Sequence, residues 1–522
     1  MTAFSFASLD LGTLLLPELI VSIGGMLVLL FGVFAPEGAA STRRAHQLAL
    51  VVALAAAASA ALLANQSPPL GAASGPLAYD GFRWAAVAVI LLGVLGTLVM
   101  AMEYNEGAAL TAPEPPALVL FSAAGMLLLV GARDLMLIFL GIEVMSLSIY
   151  VLTGLDRSRA GSAEAALKYF LLGAFSTGFL LYGMALIYGA TGTTNLTEMA
   201  SVIASRNLAA EPLLIGGLAL LFVGFSFKVG AVPFHMWTPD VYEGAPTPYT
   251  AFMAAGVKTA AFAAFARLLL DGLGPAYASW HYAAWVLAAA TMVVGNVLAL
   301  VQQNVKRMLA YSSIAHAGYL LVAITSHSAD GVAAIVFYSL AYTLATVGAF
   351  AVLSIVSGGS EKRTRLVDLA GLSRTHPALA TAMAVFMLSL MGFPIAGGMG
   401  FFAKWYVLRA ALSSPAPQLK LSVILVLASL VSAGAYVSAA SIATMFMKPP
   451  AAEAQPSRAV AARLTGGVVA VTAVLLLALG IYPTPAVHWA RASTLPMSPA
   501  RPAAGPAPEQ AFAPSDSQPV LP

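Results

Sequence analysis

Apolar runs of about 20 residues follow one another along most of this chain, with short polar connections between them. A helix of that length crosses the hydrocarbon core of a bilayer. In hydrocarbon a segment must satisfy its own backbone polar groups, and a helix does so without a partner segment. Fourteen runs meet this measure, near 11–34, 45–65, 83–102, 117–132, 134–154, 164–190, 212–235, 248–270, 282–302, 307–325, 332–356, 378–411, 419–446 and 463–482. Charged residues are 9% of the sequence, against roughly 25% in soluble domains. The expected class is an all-α polytopic membrane protein.

On this reading the chain divides into a three-helix segment over 1–110, five helices over 117–270, five more over 281–446, a last span over 460–485 and a tail over 493–522. Five is odd, so the two sets of five are inverted repeats with respect to the membrane, a plan of many transporters. The tail and the segment 449–459 are rich in Pro and Ala with no apolar period, and are expected to be disordered or looped. The first residues carry no basic region and no small-residue cleavage site before a soluble domain, so the first run reads as a retained span. An even number of spans puts both termini on one side. Thirteen Lys and Arg, among them Arg43, Arg157, Lys306 and Arg365, fall in connections on the opposite side. Eight, among them Arg83, Arg133 and Arg267, fall on the side of the termini. That bias places both termini outside.

The stretch Phe225–Pro248, FSFKVGAVPFHMWTPDVYEGAPTP, leaves an apolar run through a lysine, a glycine and a proline. Gly230 and Pro233 predict a broken helix just after Lys228. Pro394, Gly397 and the neighbouring glycines predict a second break at the corresponding place in the second set, with Lys404 after it. Broken backbone at membrane depth belongs where protein or a watery cavity covers it. A lysine at a helix end could also simply snorkel to the interface.

Four lysines lie within spans, Lys168, Lys228, Lys258 and Lys404, against one clear mid-span acid, Glu143. Structural ion pairs alone would leave several ammonium groups without counter-charge. Desolvation disfavours the charged form of a buried lysine, so lysines sharing a dry path can exchange protons. His316, in KRMLAYSSIAHAGYLL, has the chemistry of a shuttle between lysines, or of a satisfied core histidine. Glu18, Glu103 and Asp134 sit near span ends, where solvation or helix capping is expected.

With no cysteine, this chain makes no disulfide, thiolate zinc site or iron–sulfur ligation. Its net charge of +3 is scattered and forms no nucleic-acid patch. No dinucleotide, P-loop or HExxH motif occurs, and no facing in-span histidine pairs that a haem would need.

The stretches FKVGAVPFHMWTPDVYEGAPTP, NVKRMLAYSSIAHAGY and MGFPIAGGMGFFAKWYVL resemble the antiporter-like subunits of proton-pumping NADH–quinone oxidoreductase, respiratory complex I. The resemblance runs from roughly 80 to 482 and is nearest to the subunit N branch. Lysine at 404, where subunit M has glutamate, argues against the M branch. The lack of a long C-terminal amphipathic helix argues against the L branch. The resemblance implies fourteen spans, a broken seventh and a broken twelfth helix, and two inverted five-helix repeats. It implies that Glu143 and Lys228 form a coupled pair, with Lys168 modulating it. Lys258 would be the central lysine and Lys404 the distal one, joined through His316. It implies no cofactor on this chain, with NADH, FMN, iron–sulfur clusters and quinone handled by partner subunits. The partners implied are other membrane-arm subunits, both antiporter-like and small, in a bacterial inner membrane. The long tail and the glycine-rich GGMGFF depart from the family pattern. A subunit of a multi-subunit cation/proton antiporter or of a membrane-bound hydrogenase would carry the same lysines, and a non-conducting scaffold would not need them.

Overall fold

Twelve helices among the described residues are long and apolar enough to cross a membrane. The structure, a computed structural model, describes residues 11–36, 38–65, 75–359, 361–394, 398–414, 418–434, 442–449, 462–493, 495 and 497. The tail from 498, most of the segment 449–459 and Gly397 lie outside them. The helices that position the site are α1 (Leu16–Phe34), α2 (Ala39–Ala64), α3 (Gly81–Gly107), α4 (Glu114–Gly131), α5 (Leu135–Thr153), α6 (Ala160–Thr191) and α7 (Pro212–Val229). They continue with α8 (Thr247–Gly272), α9 (Tyr277–Leu300), α10 (Val305–Thr325) and α11 (Ala329–Ser357). The second broken span consists of α12 (Pro377–Met391) and α13 (Met399–Ser413). The last two are α14 (Leu419–Ala433) and α15 (Arg463–Ile481). Among the described residues there are no β-strands, only three isolated bridges.

Polar caps start several of these helices where the sequence breaks its apolar runs. Asp134 accepts from the Met136 N–H at 2.8 Å and opens α5; Asn304 accepts from the Lys306 N–H at 2.9 Å and opens α10. The Glu103 carboxylate caps α15 from outside, accepting from the backbone of Leu464 and Thr465 at 3.0 and 2.8 Å. Small residues let helices approach closely: at Gly125 and Gly141, where α4 crosses α5, an added methyl would strike backbone.

One backbone pattern occurs twice. Leu135 N–H donates to Thr194 O and Leu196 N–H to Arg133 O, both at 2.9 Å. Val305 N–H donates to Thr364 O at 2.7 Å and Leu366 N–H to Gln303 O at 2.8 Å, every position shifted by the same number of residues. In each case the start of a span is tied to the chain just after the following span.

The core lies around α8, α10 and α11, which are buried almost throughout, whereas α1, α2, α6 and α15 present apolar faces outward. Buried ions hold the first three helices to this core. Arg83 donates to Glu18 at 2.7 Å, and Arg267 at the end of α8 grips Asp80 with two bonds of 2.7 and 3.0 Å. Arg133 lies 3.4 Å from Asp271. The sequence reading counts Arg83, Arg133 and Arg267 as connection charges and Glu18 as a solvated or capping end group. The fold instead buries all four in pairs.

Candidate functional site

The first break lies where the sequence places it. The α7 ladder stops at Val229, and Gly230, at φ +71°, turns the chain in a left-handed conformation that a glycine adopts without steric cost. The loosened backbone is satisfied inside the protein. Trp237 Nε1–H donates to Phe227 O at 2.9 Å, and Val232 N–H to Thr291 Oγ1 at 3.0 Å. Lys228 sits in the last turn of α7, where the helix dipole favours a cation. It is 4% exposed, so it does not snorkel. Its ammonium donates to Ser146 Oγ at 2.9 Å and to Tyr150 OH at 3.4 Å.

Glu143 is half-buried on α5, one helical turn from Ser146, and accepts from Thr177 Oγ1 at 2.8 Å. The resemblance implies that it pairs with Lys228. In this structure the two make no direct ion pair, and the Lys228 ammonium rests on Ser146 instead.

Lys258 stands in the middle of α8, where a π-helical segment, Met253–Val257, returns to α-helix. It is buried, donates to the Ser313 carbonyl and hydroxyl, and lies 5.0 Å from the centre of the Tyr342 ring. Ser313 Oγ also meets Tyr242 OH at 3.3 Å. One turn along α10 from Ser313, His316 Nδ1 bonds Tyr338 OH at 2.5 Å, and its ring packs 4.9 Å from Tyr342 and 5.7 Å from Tyr319.

Lys404 completes the line. Its ammonium lies 4.7 Å from the Tyr319 ring centre and donates to Met391 O at 2.8 Å. Met391 ends α12, so the Lys404 ammonium, carried on α13, reaches back to the C-terminal end of the first half of its broken helix, whereas Lys228 stands in the last turn of the first half of its own. The sequence reading looks for the second break at Pro394 and Gly397. Pro394 is an exposed turn residue, and the residue that caps α12 is Gly392, at φ +80°. A Cβ on Gly392 would come within 2.8 Å of Lys404 Cδ, so the missing side chain makes room for the lysine stem.

Lys168 forms its ion pairs with acids other than Glu143. Its ammonium pairs with Glu164 at 2.7 Å and Asp240 at 2.9 Å, and its side chain is 43% exposed. Asp240 also takes Arg307 at 2.7 Å. Partial burial of Asp240 would raise its carboxyl, but Lys168 and Arg307 outweigh that and hold it below its ordinary value.

The sequence reading does not single out Glu361. This carboxylate, buried in the connection after α11, accepts from Tyr104 OH, Thr247 N–H and Thr247 Oγ1, each at 2.7 Å, and from Lys306 at 2.8 Å. Burial would raise its pKa, but Lys306 and these hydrogen bonds hold it below the ordinary value. Its backbone has φ +52°, uncommon for a residue with a side chain. An acid just after Gly358 and Gly359 is the local signal available for it. Among the described residues no three His, Asp or Glu side chains gather as metal ligands.

A bundle of membrane helices, two of them broken and each carrying a buried lysine at its break, defines a membrane protein of the antiporter-like class. The family described as NADH:quinone oxidoreductase/Mrp antiporter, transmembrane, matches residues 132–455. NADH-quinone oxidoreductase subunit N of Gemmatimonas aurantiaca is 52% identical over 498 residues, covering 93% of this chain and 94% of its own length. That of Trichlorobacter lovleyi is 44% identical over 444 residues, covering 85% and 89%. A chain in the structure of respiratory complex I from Thermus thermophilus is similar with a TM-score of 0.72 and 37% identity, covering 92% of this chain and 100% of that one. The present chain belongs to the NADH-quinone oxidoreductase subunit N family.

Proposed function

We propose that this chain is a proton-translocating subunit of the membrane arm of a bacterial NADH–quinone oxidoreductase, with the line Glu143, Lys228, Lys258, His316 and Lys404 as its relay. NADH oxidation and quinone reduction, with FMN and iron–sulfur clusters, belong to partner subunits. The observation that carries this reading is the set of buried groups along α10: Ser313, which takes the Lys258 ammonium, His316, whose ring packs on Tyr319, and Tyr319, whose ring faces the Lys404 ammonium. With Glu143 closed onto Lys228, the acid and the ammonium form a pair that holds its proton. With the contact open, as here, the ammonium rests on neutral hydroxyls and can pass its proton on. Lys168, bound to Asp240, would act on this pair from the rim.

Two inverted repeats over 117–270 and 281–446 are part of the same reading. The recurring backbone pattern at Leu135 and Val305 supports them. So do the buried lysines beside the two breaks, Lys228 before one and Lys404 after the other. Both termini are assigned to the periplasmic side of the inner membrane. Setting aside the buried, paired Arg83, Arg133, Arg267 and Lys306 leaves the Lys and Arg bias pointing the same way.

The test is Glu143→Gln, Lys228→Met and the double variant, in membrane vesicles with the complex assembled. Each single change should cut proton uptake and quinone-dependent NADH oxidation together. The double should be little worse than the worse single one. Wild-type rates in assembled Lys228→Met would remove this lysine from the path.

A further inference from the structure

We propose that a cleft between α2, α3 and the C-terminal helix holds one acyl chain of a phospholipid from the leaflet on that side of the membrane. None of the relay residues lines this cleft, so the site is separate from the proton path.

The helix α16 (Thr484–Ala492) follows the last span and meets the end of α2 and the start of α3. Together they border a cleft of about 530 Å3, within the size of small-molecule sites. Ala57, Ala60, Ala61 and Ala64 of α2 form one wall, at the three- and four-residue spacing that puts them on one face. The other wall runs down α3 from Trp84 through Ala88 to Leu92 and Leu95. At about 1.5 Å per residue this wall is about 16 Å long, half of the roughly 30 Å of hydrocarbon in a bilayer. Polar side chains line one end only, Asn65 after α2 and Ser493 after α16. Trp84 and Trp489 line the same end, and indole rings settle at the headgroup level. Trp84 is 4% exposed, and its Nε1–H has no hydrogen-bond partner among the described residues.

The cleft is thus polar at the interface, apolar toward mid-membrane and one leaflet deep, which is the form of a lipid. A spanning helix of another subunit needs the whole thickness, about 20 residues. An irregular stretch of polypeptide, such as residues 498–522, would bring N–H and C=O groups against alanine and leucine side chains that cannot satisfy them. An acyl chain carries no such groups. The ester carbonyl above it, at the level of Trp84, is an acceptor for an indole N–H. A chain lying between two helices and beside a third gains dispersion contacts on several sides, where a lipid on an open helix face has them on one. Ala61 and Ala88 are exposed residues on the two walls, so enlarging either fills the cleft without entering the core.

The experiment uses the assembled complex in vesicles of phosphatidylethanolamine and phosphatidylglycerol. A trace of phosphatidylcholine carries a photoactivatable diazirine at the end of one acyl chain, and labelled residues are mapped by peptide mass spectrometry. Val471 and Val474, on the exposed face of α15, report ordinary boundary lipid. Wild type should be labelled around Leu92 and Leu95 several-fold more than around Val471 and Val474. Ala88→Phe, and Ala61→Leu from the opposite wall, should bring the label at Leu92 and Leu95 down to the boundary level. Ala58→Leu, exposed on α2 outside the cleft, should leave it unchanged. Equal labelling at both places, unaltered by Ala88→Phe, means boundary lipid only and overturns the proposal. So does the absence of label at Leu92 and Leu95 in wild type, and label that then appears in a chain ending at Met497 would name the tail as the occupant. Should Ala88→Phe not assemble, Ala61→Leu decides.

Discussion

Glu361→Gln would test how the lysine helix is held. The carboxylate takes four donors at once: one from α3, two from the first residue of α8, and the Lys306 ammonium at the start of α10. Glutamine has nearly the same shape and can still accept from the Thr247 N–H. It cannot neutralise Lys306, whose side chain is fully buried, and with its oxygen kept on Thr247 its amide NH2 takes the Oε2 place and faces the Lys306 ammonium, donor against donor. Removing one partner of a buried ion pair costs about 3–5 kcal/mol, because the remaining charge stays buried. The assay is the amount of assembled subunit and its thermal unfolding in detergent, with proton uptake measured on the assembled fraction. Lys306→Met together with Glu361→Gln removes the uncompensated charge and should recover much of the loss. The folded-state pKa of Glu361 lies below its ordinary 4.5. Its contribution is therefore complete above about pH 4.5 and is lost as pH falls through the folded value. Wild-type protein should lose this stability in acid, and the glutamine variant should show no such component. Unchanged unfolding of Glu361→Gln near pH 7, with no recovery in the double variant, would refute the reasoning.

The remaining predictions concern the other buried contacts. Asp80→Asn removes the charge from the two-bonded grip on the fully buried Arg267 guanidinium, so it should destabilise the subunit by about 3–5 kcal/mol, read as lost assembly and a lower unfolding temperature. Gly392→Ala places a side chain at φ +80° and against the Lys404 stem. It should cost about 1–2 kcal/mol in stability and lower proton uptake more than its effect on assembly explains.

Much of the fold was legible because hydrocarbon leaves a chain few choices. Run length alone marks the spans, and a lysine followed by Gly230 and Pro233 inside one marks the first break. Lys228, Lys258, Lys404 and His316 could be picked out because polar groups at membrane depth have few other reasons to be there. Pairing between distant segments was not legible. Arg83, Arg267 and Lys306 lie near span ends, where a sequence suggests solvent, and their partners are brought to them only by packing. Glu361 meets Tyr104 from 257 positions away. Lys168 was read by depth as part of the relay, yet its neighbour one turn back, Glu164, and Asp240 across the bundle hold it at the rim. At the second break the prolines and glycines crowd together, so the sequence could not say that Gly392, and not Pro394, ends the helix.

The most direct test of the central claim is proton uptake per NADH oxidised in inverted vesicles carrying assembled Lys258→Met. This lysine is the midpoint of the buried line and lies away from the ion pairs that hold the bundle together. The account predicts that uptake and coupled oxidation both fall steeply at normal assembly. Wild-type uptake at wild-type turnover would contradict it.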